Sequence, residues 1–243
     1  MAIVIPTEKS VPTTEPGRLT TLLYGSPKVG KSTFAAGFPD AIFLSTEPGL
    51  NLLSVYKVDI TCWEDFGEAW MQLKKDERYK TIIIDTVDNL FEFCRIHMLG
   101  KLGLVHEHDA NDYGRTYQIV RKEFERAINA LTNSRYGIVF ISHAKRDEDK
   151  VRGQVINRVY PTVPKQAREY LLGLVDIILY ANTEDVVRKE GEEPQPMRVL
   201  HTKETEEYEA GDRTGKLPDL IPLNYEKYAK CLAKAIGGTV NGK

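Results

Sequence analysis

Residues 25–32 read Gly25-Ser26-Pro27-Lys28-Val29-Gly30-Lys31-Ser32, which completes the motif G-x-x-x-x-G-K-[ST]. The apolar residues 19–24 before the motif predict a buried strand, and residues 33–38 after it predict the opening of a helix. In this setting the backbone N–H groups of the loop converge on the phosphates of a nucleotide. The stretch therefore predicts an α/β fold that carries a site for a nucleoside triphosphate with Mg²⁺.

Individual residues of this phosphate loop have different predicted roles. Gly25 and Gly30 allow backbone conformations that a side chain would block. We expect Lys31 to reach the β- and γ-phosphates of ATP as a point charge, and the Ser32 hydroxyl to hold Mg²⁺. The predicted nucleotide-binding set is the motif together with the residue that follows it: Gly25, Ser26, Pro27, Lys28, Val29, Gly30, Lys31, Ser32 and Thr33.

Length and composition are typical of one globular domain. The chain has 243 residues, of which 42% are hydrophobic and 28% are charged, and its formal net charge is −2. This balance gives no global attraction for nucleic acid, so a nucleic-acid site must be a local patch. No apolar run has the length that spans a bilayer, so we expect no membrane partner. Three widely separated cysteines indicate a reducing cytoplasm and no disulfide framework.

The order of predicted elements indicates a three-layer α/β fold with a mostly parallel central sheet. Residues 1–17 predict an extended arm, residues 18–236 form the core, and residues 237–243 form a flexible tail. Strands are predicted at residues 19–24, 41–45, 58–62, 81–85, 137–142, 174–180 and 198–201. Helices are predicted at residues 64–75, 88–99, 115–132, 166–172 and 225–236. Residues 102–114 and 145–163 are predicted to be polar loops, and residues 184–209 a solvated hairpin.

Two carboxylates end predicted strands where they would face the phosphate loop. Asp85 follows three isoleucines and is expected to hold Mg²⁺ through its water shell; the alternative is a cap for the helix that begins near Asp88. Glu47 ends the strand after the phosphate-loop helix and is expected to polarise the attacking water as a general base. The alternative for Glu47 is a turn carboxylate before Pro48.

His143 ends the predicted strand at residues 137–142, across from the expected position of the γ-phosphate. A polar side chain there can sense that phosphate and pass any movement to the loop that begins at Lys145. The alternative is a histidine that is bonded locally at the end of its strand. The candidate catalytic residues are therefore Glu47, Lys31 and His143.

Together these segments resemble the ATPase core of RecA-type recombinases. The resemblance is carried by the phosphate loop, Ser-Thr-Glu47-Pro-Gly, Ile-Asp85-Thr-Val-Asp-Asn and Phe140-Ile-Ser-His143, although that family usually has Gln or Asn where His143 stands. The short length and the ending Ala210-Gly-Asp-Arg-Thr-Gly-Lys-Leu-Pro218 resemble phage-encoded RecA-like nucleotide-binding proteins of the AAA type, in the single-strand annealing group. The resemblance covers residues 18–236 and implies a RecA-like core that binds and hydrolyses ATP.

The resemblance also implies two loops that bind single-stranded DNA inside a homo-oligomeric ring or filament. By position these are residues 102–114 and 145–163; the alternative for the second is a mobile charged surface loop. The DNA-binding candidates lie in the second loop and are Lys145, Arg146, Lys150, Arg152, Arg158 and Tyr160, of which the tyrosine could stack on a base. The first loop holds a group of residue types that bind metals, but nothing in its spacing enforces ligand geometry: His106, His108, Asp109 and Asp112.

ATP sites of the resembling family lie between subunits, where basic residues of the neighbouring copy reach the γ-phosphate. Lys203 and Arg213 are the candidates for this trans-acting role, from their place after the last strands, and residues 3–5 could add a strand to the next subunit. The expected function is DNA-stimulated ATP hydrolysis in phage single-strand annealing, in the host cytoplasm, with a single-strand-binding protein as a further partner. Two alternatives stay open: an ATP-gated replication or assembly adaptor, and a P-loop kinase.

Overall fold

Strands and helices alternate along the chain, as the sequence predicts. The computed structural model describes residues 5–9, 13, 15–110, 112–151, 154–187 and 193–237. The strands are β1 Thr20–Gly25, β2 Ala41–Ser45, β3 Tyr56–Asp59, β4 Thr81–Asp85, β5 Gly137–Val151, β6 Gln154–Pro161, β7 Ile177–Val186, β8 Gln195–His201, β9 Gly211–Asp212 and β10 Leu220–Pro222. The helices are α1 Lys31–Ala35, α2 Trp63–Leu73, α3 Val87–Leu102, α4 Arg115–Thr132, α5 Lys165–Leu174 and α6 Tyr225–Ile236, with 3₁₀ turns at Pro16–Arg18 and Glu107–Ala110.

The central sheet has the strand order β10-β8-β7-β1-β5-β4-β2-β3, and β6 and β9 pair with β5 and β7. Neighbours from β7 to β3 run parallel, whereas β8 is antiparallel to β7. The register places Gly25 opposite both His143 and Ala181, and Asp85 opposite Ser45. The carboxyl ends of the parallel strands therefore bring the predicted site residues to one edge of the sheet.

Helices cover both faces of the sheet and bury it. Residues from α2, α3, α4 and α5 pack in one apolar cluster on one face, and residues from α1 and α6 pack in a second cluster on the other. The apolar side chains of β4 are fully buried, as in a sheet that is covered on both faces. The predicted α/β fold with a mostly parallel central sheet is confirmed.

The prediction of a loop at residues 145–163 was wrong, because β5 continues to Val151 and returns as β6. This β5–β6 hairpin pairs Arg146 with Val159 and Asp147 with Arg158. Opposite charges that face each other across two strands support the pairing, and residues 155–160 include β-branched and aromatic side chains that favour strands. The high charge of the segment concealed this pattern.

Smaller differences concern where elements begin and end. β3 starts at Tyr56, two residues before the predicted strand, and β7 continues to Val186, where it pairs with β8. α1 ends at Ala35, and Gly37, just after it, packs on α6: a Cβ at Gly37 would stand 2.4 Å from the Tyr225 Cβ. Most of the predicted arm strand at residues 3–5 and most of the predicted tail lie outside the described residues.

Candidate nucleotide-binding site

The phosphate loop connects β1 to α1 at the carboxyl edge of the sheet. Gly25 is required by the neighbouring strand, since a Cβ there would stand 2.3 Å from the Ala181 carbonyl oxygen. Gly30 has φ 112°, a conformation that side chains rarely adopt. Within the described part of the chain, no acceptor is found for the backbone N–H groups of Gly30, Lys31 and Ser32. These donors are the groups that a phosphate would accept from.

Lys31 is held inside the loop. Its side chain is buried, and Nζ donates hydrogen bonds to the carbonyl oxygens of Gly25 at 2.8 Å and Ser26 at 3.0 Å. Burial lowers the pKa of Lys31, and the nearby carboxylates of Asp85 and Glu47 oppose that shift. The ammonium group therefore stands at the loop with its charge supported by the acidic residues of the adjacent strands.

Ser32 and Asp85 form a hydroxyl–carboxylate pair beside Lys31. The Ser32 hydroxyl donates to Asp85 Oδ2 at 2.7 Å, and the Asp85 side chain is buried. Burial raises the pKa of Asp85, and the charge of Glu47 adds to that shift, whereas the Ser32 hydrogen bond and Lys31 oppose it. A buried carboxylate beside a hydroxyl oxygen is a donor set that suits a hard divalent cation such as Mg²⁺.

Thr46 joins the ends of β2 and β4, next to both candidate carboxylates. Its Oγ1 accepts a hydrogen bond from Thr86 N at 2.7 Å and donates one to Thr86 O at 2.9 Å, and its own N–H donates to Asp85 O at 2.7 Å. The Asp85–Thr86 peptide bond is cis. This Thr46–Thr86 clasp fixes the backbone that carries Glu47 relative to the backbone that carries Asp85.

Glu47 lies against the predicted sensor residue. His143 Nε2 is 3.3 Å from Glu47 Oε2, and Asn89 Nδ2 is 3.5 Å from the same oxygen. The His143 Nδ1 atom is buried and has no hydrogen-bond partner in the described part of the chain. The structure therefore brings Glu47 and His143 together at the site edge, with Asn89 as a third member that the sequence reasoning missed.

Asp88 anchors the base of the β5–β6 hairpin, a role that the sequence reasoning also missed. Its carboxylate accepts hydrogen bonds from Ser142 Oγ at 2.8 Å, His143 N at 3.1 Å and Thr162 Oγ1 at 2.6 Å. Burial raises the pKa of Asp88. The only sequence signal was its position three residues after Asp85, which suits a helix start equally well.

The DNA-binding candidates of the β5–β6 hairpin differ in their exposure and in their ion-pair partners. Arg146 is exposed and has no ion-pair partner among the described residues, whereas Lys145 lies 3.6 Å from Asp147. Arg158 is mostly buried and forms ion pairs with acidic residues at 3.0 Å and 2.6 Å, so its guanidinium serves the fold; these partners are Glu204 and Glu209.

The structure gives less information on the remaining candidates of that hairpin. The ring of Tyr160 has the Arg168 guanidinium 4.2 Å from its centroid. The side chain of Lys150 and the whole of Arg152 lie outside the described residues.

The candidates from the other predicted regions have local partners. Lys203 forms an ion pair with Asp212 at 3.2 Å, and Arg213 forms one with Asp176 at 3.1 Å. In residues 102–114, Asp112 accepts hydrogen bonds from Thr116 at the start of α4.

The structure also bears on metal binding and on membrane insertion. Among the described residues, no group of three or more histidine, cysteine and acidic side chains is placed to hold a metal ion. Every helix in the described ranges is too short or too polar to cross a lipid bilayer.

The fold and the site together define a P-loop nucleotide-binding protein. Residues 18–214 match a family described as AAA domain, AAA_24, and the chain belongs to this family.

Two individual proteins are similar to this chain. The SPbeta prophage-derived uncharacterized protein YorG of Bacillus subtilis strain 168 is 27% identical over an alignment of 230 residues. The match covers 90% of this chain and 66% of that protein, so the chain spans slightly less than two thirds of that relative. The KaiC-like protein PH0186 of Pyrococcus horikoshii OT3 is a solved structure with 14% sequence identity and a TM-score of 0.46, over 85% of each chain.

Proposed function

We propose that this protein binds ATP with Mg²⁺, hydrolyses it, and uses the cycle to control single-stranded DNA in phage recombination by strand annealing. The nucleotide part rests on the phosphate loop with its buried Lys31. The hydrolytic part rests on Glu47, and the DNA part rests on the β5–β6 hairpin. The contact between Glu47 and His143, at the base of that hairpin, is the observation that carries the coupling between them.

The residues present fit the magnesium ion that this reaction needs. Ser32 Oγ and Asp85 Oδ2 would hold it, directly or through water, and the ion would neutralise phosphate charge. The backbone N–H groups of the loop and Lys31 Nζ bind and orient the phosphates. The Glu47 carboxylate accepts the proton of the water that attacks the γ-phosphorus, so that ADP and inorganic phosphate leave.

The β5–β6 hairpin is suited to couple DNA to this chemistry. Asp88 ties Ser142, at the end of the sheet part of β5, to Thr162, just after β6, so both strands of the hairpin are anchored at one carboxylate. Asp88 also lies in the first turn of α3, the helix that follows Asp85. A ligand that moves the hairpin would therefore move His143 against Glu47, which links DNA binding to the position of the general base.

Support for the biological setting comes from the resemblance to phage RecA-like annealing proteins and from a prophage-derived relative. We propose a homo-oligomer, ring or filament, in which Lys203 or Arg213 of one copy reaches the nucleotide of the next after leaving its ion pair. A single-strand-binding protein would deliver the DNA, in the host cytoplasm.

The first experiment measures ATP hydrolysis with and without single-stranded DNA. We expect DNA to stimulate the wild type, and both Lys31→Ala and Glu47→Gln to abolish hydrolysis. Glu47→Gln should still bind ATP, because the phosphate loop is intact. Hydrolysis that ignores DNA would refute the coupling, and ATP binding without hydrolysis in the wild type would favour an ATP-gated adaptor.

A second experiment tests the hairpin. The double variant Lys145→Ala/Arg146→Ala should weaken the binding of a fluorescent oligothymidylate, measured by anisotropy, and should flatten its salt dependence. A matched control removes two exposed lysines of α6, Lys227→Ala/Lys230→Ala, on an element away from the hairpin. Equal losses in both double variants would show a general charge effect and would reject the hairpin as the DNA site.

A further inference from the structure

Arg198 is an arginine that stands beside the phosphate loop of its own chain. It lies on β8, paired with Thr183 of β7, which is two residues beyond Ala181, the partner of Gly25. The Arg198 Nη1 atom is 3.5 Å from the point where a Cβ would stand on Gly30. The extension of β7 past the sheet edge, with β8 folded back along it, is what brings this side chain to the loop.

The Arg198 guanidinium has no role in the fold that the structure reveals. It is exposed, and in the described ranges it has neither an ion-pair partner nor a side-chain hydrogen bond. Several other arginines do have such partners: Arg158 pairs with two glutamates, Arg95 with Glu92, and Arg213 with Asp176. An unpaired guanidinium held against a phosphate loop has its donors available for a ligand.

The electrostatics of the site call for additional positive charge. Lys31 is the buried cation of the loop, and the carboxylates of Asp85, Glu47 and Asp88 all act on its pKa. A nucleoside triphosphate would add further negative charge to this acidic surrounding. The magnesium ion of the proposed function would offset part of this repulsion, and a further cation that faces the phosphates would strengthen binding.

We propose that Arg198 binds the phosphate chain of the nucleotide from within the same subunit. The guanidinium would donate to phosphate oxygens at the side of the loop formed by Gly30. This inference rests on the proposed nucleotide site, and it assigns to β8 a function that neither the sequence motif nor the paired basic residues Lys203 and Arg213 provide. No neighbouring copy is needed for it.

The test compares the affinities of AMP, ADP and ATP for the wild type, Arg198→Gln and Arg198→Lys by isothermal titration calorimetry with Mg²⁺. Loss of a charge-assisted contact should weaken ATP binding by about 10- to 100-fold in Arg198→Gln. The loss should grow with the number of phosphates, and Arg198→Lys should recover part of it. Arg121→Gln, which removes an exposed arginine of α4 on the other face of the sheet, should leave all three affinities within about 2-fold.

The outcomes separate this inference from the proposed function. A wild type that does not bind ATP would reject the nucleotide site itself. A wild type that binds ATP, with Arg198→Gln binding equally well, would reject the contact alone. An equal loss for all three nucleotides would also overturn the proposal, because a contact to the base or the ribose predicts no dependence on phosphate number.

Discussion

Replacing Thr46 by valine tests whether the Thr46–Thr86 clasp holds the proposed catalytic site together. Valine has the shape of threonine but loses the bonds to Thr86 N and Thr86 O. In this variant the Thr86 carbonyl oxygen still accepts a helical hydrogen bond from Leu90 N at 3.3 Å, whereas the buried Thr86 N–H is left without an acceptor. One orphaned donor and one weakened acceptor should cost about 2–3 kcal/mol of unfolding free energy. Because the clasp positions Glu47, we also expect kcat to fall by about 10-fold or more.

Urea unfolding and ATP turnover measure these two effects. Thr46→Ser keeps the hydroxyl and loses one methyl group, so its cost should be about 0.8 kcal/mol. The dissociation constant for ATP should stay within about 3-fold in both variants, because neither touches the phosphate loop. If Thr46→Val unfolds at the same urea concentration as Thr46→Ser and keeps wild-type kcat, the clasp does not position the site.

Three further predictions concern single positions. Gly25→Ala should lower the free energy of unfolding by about 1–3 kcal/mol, since its Cβ would press on the Ala181 carbonyl oxygen. Gly67→Ala, in α2 with open space around it, should raise the free energy of unfolding by about 0.5–1 kcal/mol. Equal urea midpoints for the two variants would contradict this prediction. Asp85→Asn should raise the melting temperature of the nucleotide-free protein at neutral pH, because the folded-state pKa of this carboxyl is raised and the wild type loses stability as pH rises through it. The gain should vanish below the ordinary aspartate pKa, and a pH-independent difference would point to another cause. Arg158→Ala should lower the free energy of unfolding by about 1–3 kcal/mol, because it leaves two acidic partners unpaired. A loss of DNA affinity at unchanged stability would instead show that Arg158 binds DNA.

Much of the fold could be predicted from local sequence because its strongest patterns are local. The three isoleucines before Asp85 form the continuous apolar run that a strand buried on both faces of a parallel sheet requires. The apolar residues of α4 recur with the period of a helix that buries one face. The bounds of α4 and α6 match the prediction at both ends. The β5–β6 hairpin could not be predicted in this way, because its strands are charged and the pairing that forms it joins residues that are up to 17 positions apart.

Only the site residues that belong to a recognisable sequence motif could be predicted from the sequence. Gly30, Lys31, Ser32 and Asp85 belong to segments with fixed spacing, and the structure assembles them. Arg198 had no such signal, because its approach to the loop depends on how far β7 runs past the sheet edge.

The position of the phosphate loop between two protruding hairpins follows from the strand order. β1 lies between β5 and β7, and both neighbours continue beyond Gly25 as strands of a hairpin. The β5–β6 hairpin is fixed at its base to Asp88, near Glu47, the proposed general base, whereas β8 brings Arg198 to Gly30 of the phosphate loop. A nucleotide in the loop would therefore act on one hairpin through its γ-phosphate end and on the other through a guanidinium. Because the two contacts use different residues, Arg198→Gln should weaken ATP binding without removing DNA stimulation at saturating ATP, and His143→Ala should remove stimulation without weakening ATP binding.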